Sequence, residues 1–174
     1  HERSFYSIAI EDMVSFEAYY QGNSTKFIKN EAEVWQFADQ PYMTIDIDRW
    51  GGSKYLLGGP WAERELSESG LKLDDLSQYG FDNPDIKVNI TLTNQRSFQF
   101  IIGGTTADGK FQYCHIEGYE DLYLIAKEWG DFIARFVTIP PYPKWALKMD
   151  STNIVGLRAY EFVDKEVSKN LFAL

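Results

Sequence analysis

Apolar and polar residues alternate with a period of two along much of this chain, and this period is what most constrains its fold. The clearest example is segment 88–93, Val-Asn-Ile-Thr-Leu-Thr, followed by Ser-Phe-Gln-Phe-Ile-Ile at 97–102. Successive side chains of a strand point to opposite faces of a sheet, so each segment predicts a strand with one apolar face. Asn94-Gln95-Arg96 between them predicts a hairpin turn.

The same period predicts further strands on both sides of this hairpin. In the first half, the predicted strands lie around Tyr6, Ile8 and Ile10, at 14–20 and at 25–29, with a turn at Gln21-Gly22-Asn23. In the second half, turns are predicted at Gly103-Gly104 and Asp108-Gly109, and strands at 111–117 and 122–125. Strands that follow one another with short turns are typical of an antiparallel β-meander.

Two segments have helical spacing instead. Trp129, Phe132, Ile133 and Phe136 recur every three or four residues, so 127–137 predicts a helix whose apolar face packs on the sheet. In the first half, Asp48 is the predicted N-cap of a helix over 49–57, which Gly58-Gly59-Pro60 ends. Each half is therefore predicted to contain strands followed by a helix.

These elements predict an α+β fold of mainly antiparallel β-meander sheets with a few short helices. We expect two related strands-then-helix units, at 1–72 and 73–145, that together form one compact domain, since 174 residues with 44% hydrophobic content can bury such a core. The tail, 146–174, is expected to form a strand at 153–163 and a short helix at 164–174. Val167, Leu171 and Leu174 have helical spacing there.

The charge balance excludes one class of ligand. Acidic residues outnumber basic residues by 26 to 17, which gives a net charge of −9. Such a chain repels polyanions and lacks the basic surface that DNA and RNA binding requires. Nucleic acid is therefore excluded as its main ligand.

The sequence contains no arrangement typical of catalysis or of cofactor binding. Cys114, the only cysteine, precedes His115, but neighbours on a strand point to opposite faces, so a structural role is predicted for both. Asp46 and Asp48 would share a strand face with the spacing of calcium ligands, but the flanking isoleucines favour a solvated strand edge. The glycine pairs lack the Lys-Ser/Thr of a nucleotide loop, and no His/Cys spacing suits zinc. We expect no catalytic residue, no cofactor and no metal.

Aromatic residues make up 16% of the chain, and this excess is the compositional feature that bears on recognition. Most lie in the inward phase of a predicted strand or helix, so core packing is favoured over a platform for sugars. Tyr119, Tyr142 and Trp145 lie in turn-like or Pro-rich stretches and are predicted contacts for a partner or ligand, and so are Leu171 and Phe172 in the tail.

One stretch resembles a known family. Segment 74–84, Asp-Asp-Leu-Ser-Gln-Tyr-Gly-Phe-Asp-Asn-Pro, together with Ile102-Gly103, Gly109, Tyr113 and Leu122-Tyr123-Leu124, resembles the domain-of-unknown-function 4340 family, and the similarity covers 5–145. The resemblance implies a bacterial protein on the extracytoplasmic side of the cytoplasmic membrane. It also implies an N-terminal membrane anchor, absent from this chain, and an association with transporter components. The family supplies no catalytic residues to carry over.

Two functions are expected on these grounds. The first is a non-enzymatic extracytoplasmic module that scaffolds or stabilises a membrane protein complex, with a membrane protein as its partner. The alternative is a binding module for glycan or another cell-envelope ligand, which the aromatic residues and glycine-rich turns favour.

Overall fold

The structure is a computed structural model of the 174-residue chain. The residues that it describes are 3–50, 52, 56–66, 77–144, 152, 155–156, 158–163 and 166–173. The chain divides into two compact units, His1–Pro143 and Lys144–Leu174.

Among its described residues, the first unit is built mainly of β-strands, with a short helix, a longer helix and a 3-10 turn. Its strands are β1 (Arg3–Ser4), β2 (Met13–Tyr20), β3 (Asn23–Lys29), β4 (Trp35–Phe37), β5 (Trp61–Ala62), β6 (Arg64–Glu65), β7 (Ile86–Leu92), β8 (Ser97–Thr105), β9 (Phe111–Ile116) and β10 (Tyr123–Ala126). The 3-10 turn is Ile10–Asp12, and the helices are α1 (Ile47–Trp50) and α2 (Lys127–Thr138). Strands β1 and β5 form a small pair of their own.

The other eight strands form one antiparallel sheet in the order β4-β3-β2-β7-β8-β9-β10-β6. The α+β prediction of mainly antiparallel sheet is thus confirmed. Strands of both predicted halves enter this sheet and meet where β2 pairs with β7. The β7–β10 meander is also confirmed, because these four strands are neighbours in chain order.

The hairpin turns follow from local sequence. Gln21 and Gly22 join β2 to β3 with φ of 48° and 82°, a left-handed pair that suits the twist of a two-residue hairpin. Gly109 has φ of 75° in the turn between β8 and β9, where Asp108 Oδ1 accepts hydrogen bonds from Thr106 Oγ1 and the Lys110 amide. Both turns lie where the sequence predicts them.

Helix α2 packs on one face of the sheet, as its spacing predicts. Ile133 and Phe136 are buried, and the Phe136 ring centroid lies 5.1 Å from that of Phe16 in β2. The core around this contact contains Phe27, Phe37, Trp50 and Phe100. We call this face of the sheet the helix face and the opposite one the open face.

The predicted strand around Tyr6, Ile8 and Ile10 is wrong. Residues 6–9 form no regular element and Ile10 begins the 3-10 turn. The Ile8 amide donates to the Gly58 carbonyl and the Tyr6 hydroxyl donates to the Leu57 carbonyl, so the segment is held by the 57–60 connection and not by a sheet ladder. The alternation arises because these side chains pack against the core without strand pairing.

The predictions for the first helix need correction at its start. Asp46, not Asp48, is the N-cap, because Asp46 Oδ1 accepts hydrogen bonds from the amides of Asp48 and Arg49. Asp48 lies inside α1, so the predicted strand edge at 46–48 is also wrong. Helix α1 ends at Trp50 and Gly52 lies in a turn, so the helix predicted over 49–57 is wrong at Gly52. Leu56 and Leu57 are helical, while 51 and 53–55 lie outside the described residues.

Gly103 and Gly104 were predicted to form a turn, but they continue strand β8. The turn containing Tyr79, Gly80 and Phe81 packs directly on them, and the Gly104 amide donates to the Tyr79 carbonyl at 2.7 Å. The glycines are therefore needed for close approach of two backbones and not for a change of chain direction.

The second unit is a hairpin of β11 (Arg158–Val163) and β12 (Glu166–Ala173), with bulges between Ala159 and Tyr160 and between Glu161 and Phe162. The helix predicted at 164–174 is therefore wrong over 166–173. Three apolar residues at helical spacing are a weak signal in so short a segment, and pairing with β11 satisfies the backbone instead. The predicted strand at 153–163 is confirmed for its last six residues.

Candidate binding groove

The open face of the sheet has two different halves. Over β8, β9, β10 and β6 it is covered by an apolar cluster, and over β3, β2, β7 and β8 it is exposed and polar. The covered half contains Leu66, Tyr79, Phe81, Ile101 and Leu122, which we call the cover cluster. Tyr79 and Phe81 are each 5% exposed, so the turn that carries them closes this half of the face.

The polar half carries one row of five side chains, which crosses the four neighbouring strands β3, β2, β7 and β8 and ends just after β9. Lys26 of β3 pairs with Glu17 of β2, which pairs with Asn89 of β7, and Asn89 pairs with Gln99 of β8. Glu117 follows β9, and its amide donates to the Gln99 carbonyl, which completes the row. We call these five residues the polar row.

An open groove of about 740 Å³ lies along the polar row. All five residues of the row line it, and the 6–9 segment forms another part of its wall. Glu17, Asn89 and Gln99 are half-buried at the centre, while Lys26 and Glu117 are exposed at the ends. Neighbouring strands thus align groups that are far apart in sequence.

The amide side chains of the row hold one another in place. Gln99 Nε2 donates to Asn89 Oδ1 at 2.5 Å, and Asn89 Nδ2 donates to the Tyr19 hydroxyl oxygen at 3.3 Å. Ser24 Oγ donates to Glu17 Oε1 at 3.0 Å. Partial burial raises the pKa of Tyr19, and the neighbouring Glu17 carboxylate raises it further, so this hydroxyl stays neutral at physiological pH.

Several polar groups of the row have no hydrogen-bond partner among the described residues. Within the described part of the chain, neither the Glu117 carboxylate nor the Lys26 ammonium makes a hydrogen bond or ion pair, and Gln99 Oε1 accepts no hydrogen bond. The groove therefore offers a cation at one end, an anion at the other and amide groups between them. The charged side chains among its described lining nearly balance: Asp12, Glu17, Glu117, Lys26 and Arg96.

Tyr119 is the predicted contact residue that lies at this groove. It lines the groove beyond Glu117 and is 58% exposed, because Gly118, with φ of 85°, turns the chain outward after β9. Its amide donates to the Ile116 carbonyl, which fixes the turn.

The structure does not bring Tyr142, the other predicted contact residue of the first unit, to the groove. The Tyr142 ring stacks on Phe37 with centroids 4.6 Å apart and is 37% exposed, away from the polar row. Trp145 lies outside the described residues. Leu171 and Phe172 lie in β12 of the second unit, where Phe172 pairs with Ala159.

Cys114 and His115 point to opposite faces, as predicted. Cys114 is fully buried in the core on the helix face, and burial raises the pKa of its thiol well above the usual value. The His115 ring lies on the open face, edge-on to Phe81 with centroids 4.5 Å apart. Burial lowers the pKa of His115, so the imidazole is neutral near pH 7. Neither group lines the groove.

No group of three or more His, Cys, Asp or Glu side chains within the described ranges is arranged to hold a metal ion. Asp46 and Asp48 do not act as a pair, because the Asp46 carboxylate caps α1 and Asp48 lies within this helix. Asp82 Oδ1 accepts a hydrogen bond from the Asn83 amide, so this carboxylate stabilises the turn that contains it.

The sequence alternation places Glu17, Asn89 and Gln99 on outward phases, but it does not show that they are neighbours. Their proximity depends on the register of the β7–β8 hairpin and of the long-range pairing between β2 and β7. No local pattern contains that register, so the row could not be recognised before the structure.

No protein-family model, curated protein or solved structure matches this chain. The resemblance to the domain-of-unknown-function 4340 family therefore stays a prediction. Among the helices of the described residues, none is long and apolar enough to cross a bilayer.

Proposed function

We propose that this chain is a non-enzymatic binding module for a hydroxyl-rich, uncharged ligand, such as a polysaccharide of the cell envelope. The observation that carries this proposal is the polar row, which presents amide, carboxylate and ammonium groups along one groove beside the exposed Tyr119.

The chemistry of the row suits sugars. Each sugar hydroxyl both donates and accepts a hydrogen bond, and amide side chains offer both kinds of group in one plane. Gln99 and Asn89 are held by their mutual hydrogen bond, so little side-chain entropy is lost when a ligand binds. An exposed tyrosine at the rim supplies an apolar ring and a hydroxyl, which is the combination found at recognition surfaces.

The electrostatics favour a neutral ligand. The charged groups along the groove nearly cancel, while the chain as a whole has a net charge of −9. A polyanion would be repelled by the whole molecule without a local basic surface to compensate.

Titration calorimetry against a panel of neutral and acidic envelope polysaccharides tests this proposal. We expect a neutral polysaccharide to bind, with Gln99→Ala and Tyr119→Ala each weakening binding about tenfold, which corresponds to one hydrogen bond or one stacking contact. Tyr142→Ala is the matched control, because it removes an exposed tyrosine outside the groove. Equal loss in Tyr142→Ala, or no binding to any member of the panel, would contradict the proposal.

A second function is scaffolding of a membrane protein complex on the extracytoplasmic side of the cytoplasmic membrane, with an N-terminal anchor outside this chain. The resemblance supports this location and this kind of partner, and exposed apolar side chains support docking. Leu56 and Trp61 are 52% and 61% exposed and lie on the same connection between α1 and β6. Large exposed aromatic and aliphatic side chains are enriched at the centres of interfaces.

Affinity capture from detergent-solubilised bacterial membranes distinguishes this second function. The wild-type chain should recover one membrane protein in stoichiometric amount, and Trp61→Ser should lose it while Gln99→Ala keeps it. Recovery of no stoichiometric membrane protein would remove the scaffold function and leave the groove proposal untouched.

We also propose that the two halves arose by duplication of a strands-then-helix unit. The β2–β3 hairpin precedes α1, and the β7–β8 hairpin precedes α2. The two hairpins are joined in one sheet by β2 and β7. A superposition of the hairpins that leaves α1 and α2 on different sides would contradict a duplication.

A further inference from the structure

A second cleft, on a different part of the first unit, contains two arginines above an apolar floor. It has a volume of about 460 Å³ and is lined by Arg49, Phe132, Arg135, Phe136, Ile139 and Pro141. We call it the arginine cleft. It shares no lining residue with the groove along the polar row.

The fold brings Arg49 to this cleft through a series of backbone contacts. Asp46 caps α1 and its amide donates to the Pro141 carbonyl, which ties the start of α1 to the chain after α2. Arg49 Nη1 then donates to the Tyr142 carbonyl at 2.9 Å. This single bond orients the guanidinium and leaves most of its five N–H groups available.

Arg135 reaches the same cleft from the last turn of α2. Its side chain is exposed and makes no hydrogen bond or ion pair with any described residue. A cation in the last turn is favoured by the helix dipole, which accounts for Arg135 by itself. The dipole of α2 does not account for Arg49, which comes from α1.

The local charge of the cleft is opposite to that of the molecule. No acidic side chain is among its described lining, whereas the chain has nine more acidic than basic residues. Two guanidinium groups in a lining without acidic side chains favour the binding of an anion. Planar guanidinium groups suit carboxylate and phosphate oxygens in particular.

The floor of the cleft indicates that the ligand carries an apolar group as well as an anionic one. Phe132, Phe136, Ile139 and Pro141 are apolar, and Ile139 is 61% exposed. A small inorganic anion would leave this surface in contact with water, whereas an attached apolar group would cover it.

We propose that the arginine cleft binds an amphiphilic anion, in which one carboxylate or phosphate head contacts Arg49 and Arg135 and an apolar chain covers Phe132 and Ile139. This site is separate from the sugar-binding groove proposed above. The two proposals therefore stand or fall independently.

Titration of the isotope-labelled chain, followed by nuclear magnetic resonance, tests the site with four probes: octyl phosphate, octanoate, inorganic phosphate and 1-octanol. We expect at least one of the two anionic octyl probes to shift the amide signals of α2, Ile139 and Tyr142. It should bind about tenfold more tightly than either inorganic phosphate or octanol. The octyl phosphate and octanoate titrations also distinguish a phosphate head from a carboxylate head.

Arg49→Gln and Arg135→Gln should each weaken this binding about tenfold, because each removes a charge-assisted hydrogen bond. Lys110→Gln, in the turn between β8 and β9, removes one positive charge outside the cleft and should bind as the wild type does.

If octanol binds as tightly as the anionic probes, the arginines have no role in binding and the proposal is wrong. If inorganic phosphate binds as tightly as octyl phosphate, the apolar floor has no role, and the proposed ligand class is wrong. These probe comparisons need only the wild-type chain, so they decide the matter even if a variant fails to fold.

Discussion

The two halves of the open face differ along a single strand. In β8, Gln99 belongs to the polar row and Ile101, two residues later, belongs to the cover cluster. Both side chains project from the same face of the sheet, so the backbone does not distinguish them. The difference is that the turn carrying Tyr79 and Phe81 covers the apolar half, while no comparable turn among the described residues covers the polar half, which forms the groove.

The two halves of this sheet face therefore have different roles in the protein. Where outward positions are apolar, burial of the cover cluster stabilises the fold. Where they are amide and carboxylate, hydrogen bonds within the row position the side chains and leave polar atoms for a ligand. We therefore expect substitutions in the covered half to change stability strongly and substitutions in the polar half to change binding.

The largest expected effect comes from Phe81→Ala in the cover cluster. Phe81 is 5% exposed and contacts Tyr79 and His115, so its truncation should lower the free energy of unfolding by about 3–4 kcal/mol. Tyr119→Ala, in the polar half, should change it by less than about 0.5 kcal/mol, since Tyr119 is 58% exposed. Urea denaturation measures both values, and similar losses in the two variants would contradict the division of the face.

A smaller effect on the free energy of unfolding is expected where the turn carrying Tyr79 and Phe81 packs on β8. A Cβ at Gly103 would collide with the Tyr79 carbonyl oxygen and lie 2.7 Å from the Phe81 ring, so Gly103→Ala should lower the free energy of unfolding by about 2 kcal/mol. Gly104→Ala is the matched control, because its Cβ would lie 3.4 Å from the same oxygen. Equal denaturation midpoints for the two variants would show that the turn does not pack on Gly103.

Within the polar half, Asn89→Ala should lower the free energy of unfolding by only about 1 kcal/mol, through the loss of its hydrogen bonds with Gln99 and Tyr19. The same variant should lose most of the polysaccharide binding, because Gln99 is no longer held in place. Asn83→Ala, at an exposed position in the turn before β7, should alter neither property. If Asn89→Ala is strongly destabilised yet binds the polysaccharide normally, the polar half contributes to stability and not to binding, which contradicts this division of the face.

The smallest effect concerns pH in the covered half. Burial against Phe81 lowers the pKa of His115 in the folded state below its value in the unfolded chain, so the unfolded chain binds the proton more readily. This contribution to stability is present above the unfolded pKa near 6.5 and is lost as the pH falls towards the folded pKa.

His115→Gln should therefore lose less stability than the wild type between pH 8 and pH 5.5, and thermal denaturation at several pH values measures the difference. Parallel curves for the two proteins would show that His115 does not titrate in this range.

The fold followed from local pattern where each element is regular. The period of two located β2, β3 and β7–β10, and the spacing of Ile133 and Phe136 located α2. The pattern failed where distant contacts decide the backbone. Gly103 and Gly104 stay extended because the turn carrying Tyr79 packs on them, and 166–173 forms a strand because β11 pairs with it.

The groove was the least predictable feature. Its central side chains come from β2, β7 and β8, and the pairing of Glu17 with Asn89 joins residues 72 positions apart in the chain. Exposure of Tyr119 was predictable from its turn, but its position at the groove beside residues of β2, β7 and β8 depends on the order of the strands.

Chemical-shift mapping with the neutral polysaccharide that binds best in the calorimetric panel tests whether the polar row binds ligand. We expect the cover cluster and α2 to be unaffected and the perturbed amides to cluster at Glu17, Asn89, Gln99, Glu117 and Tyr119. Perturbations confined to Tyr79, Phe81 and α2, or the absence of any perturbation at saturating polysaccharide, would contradict it.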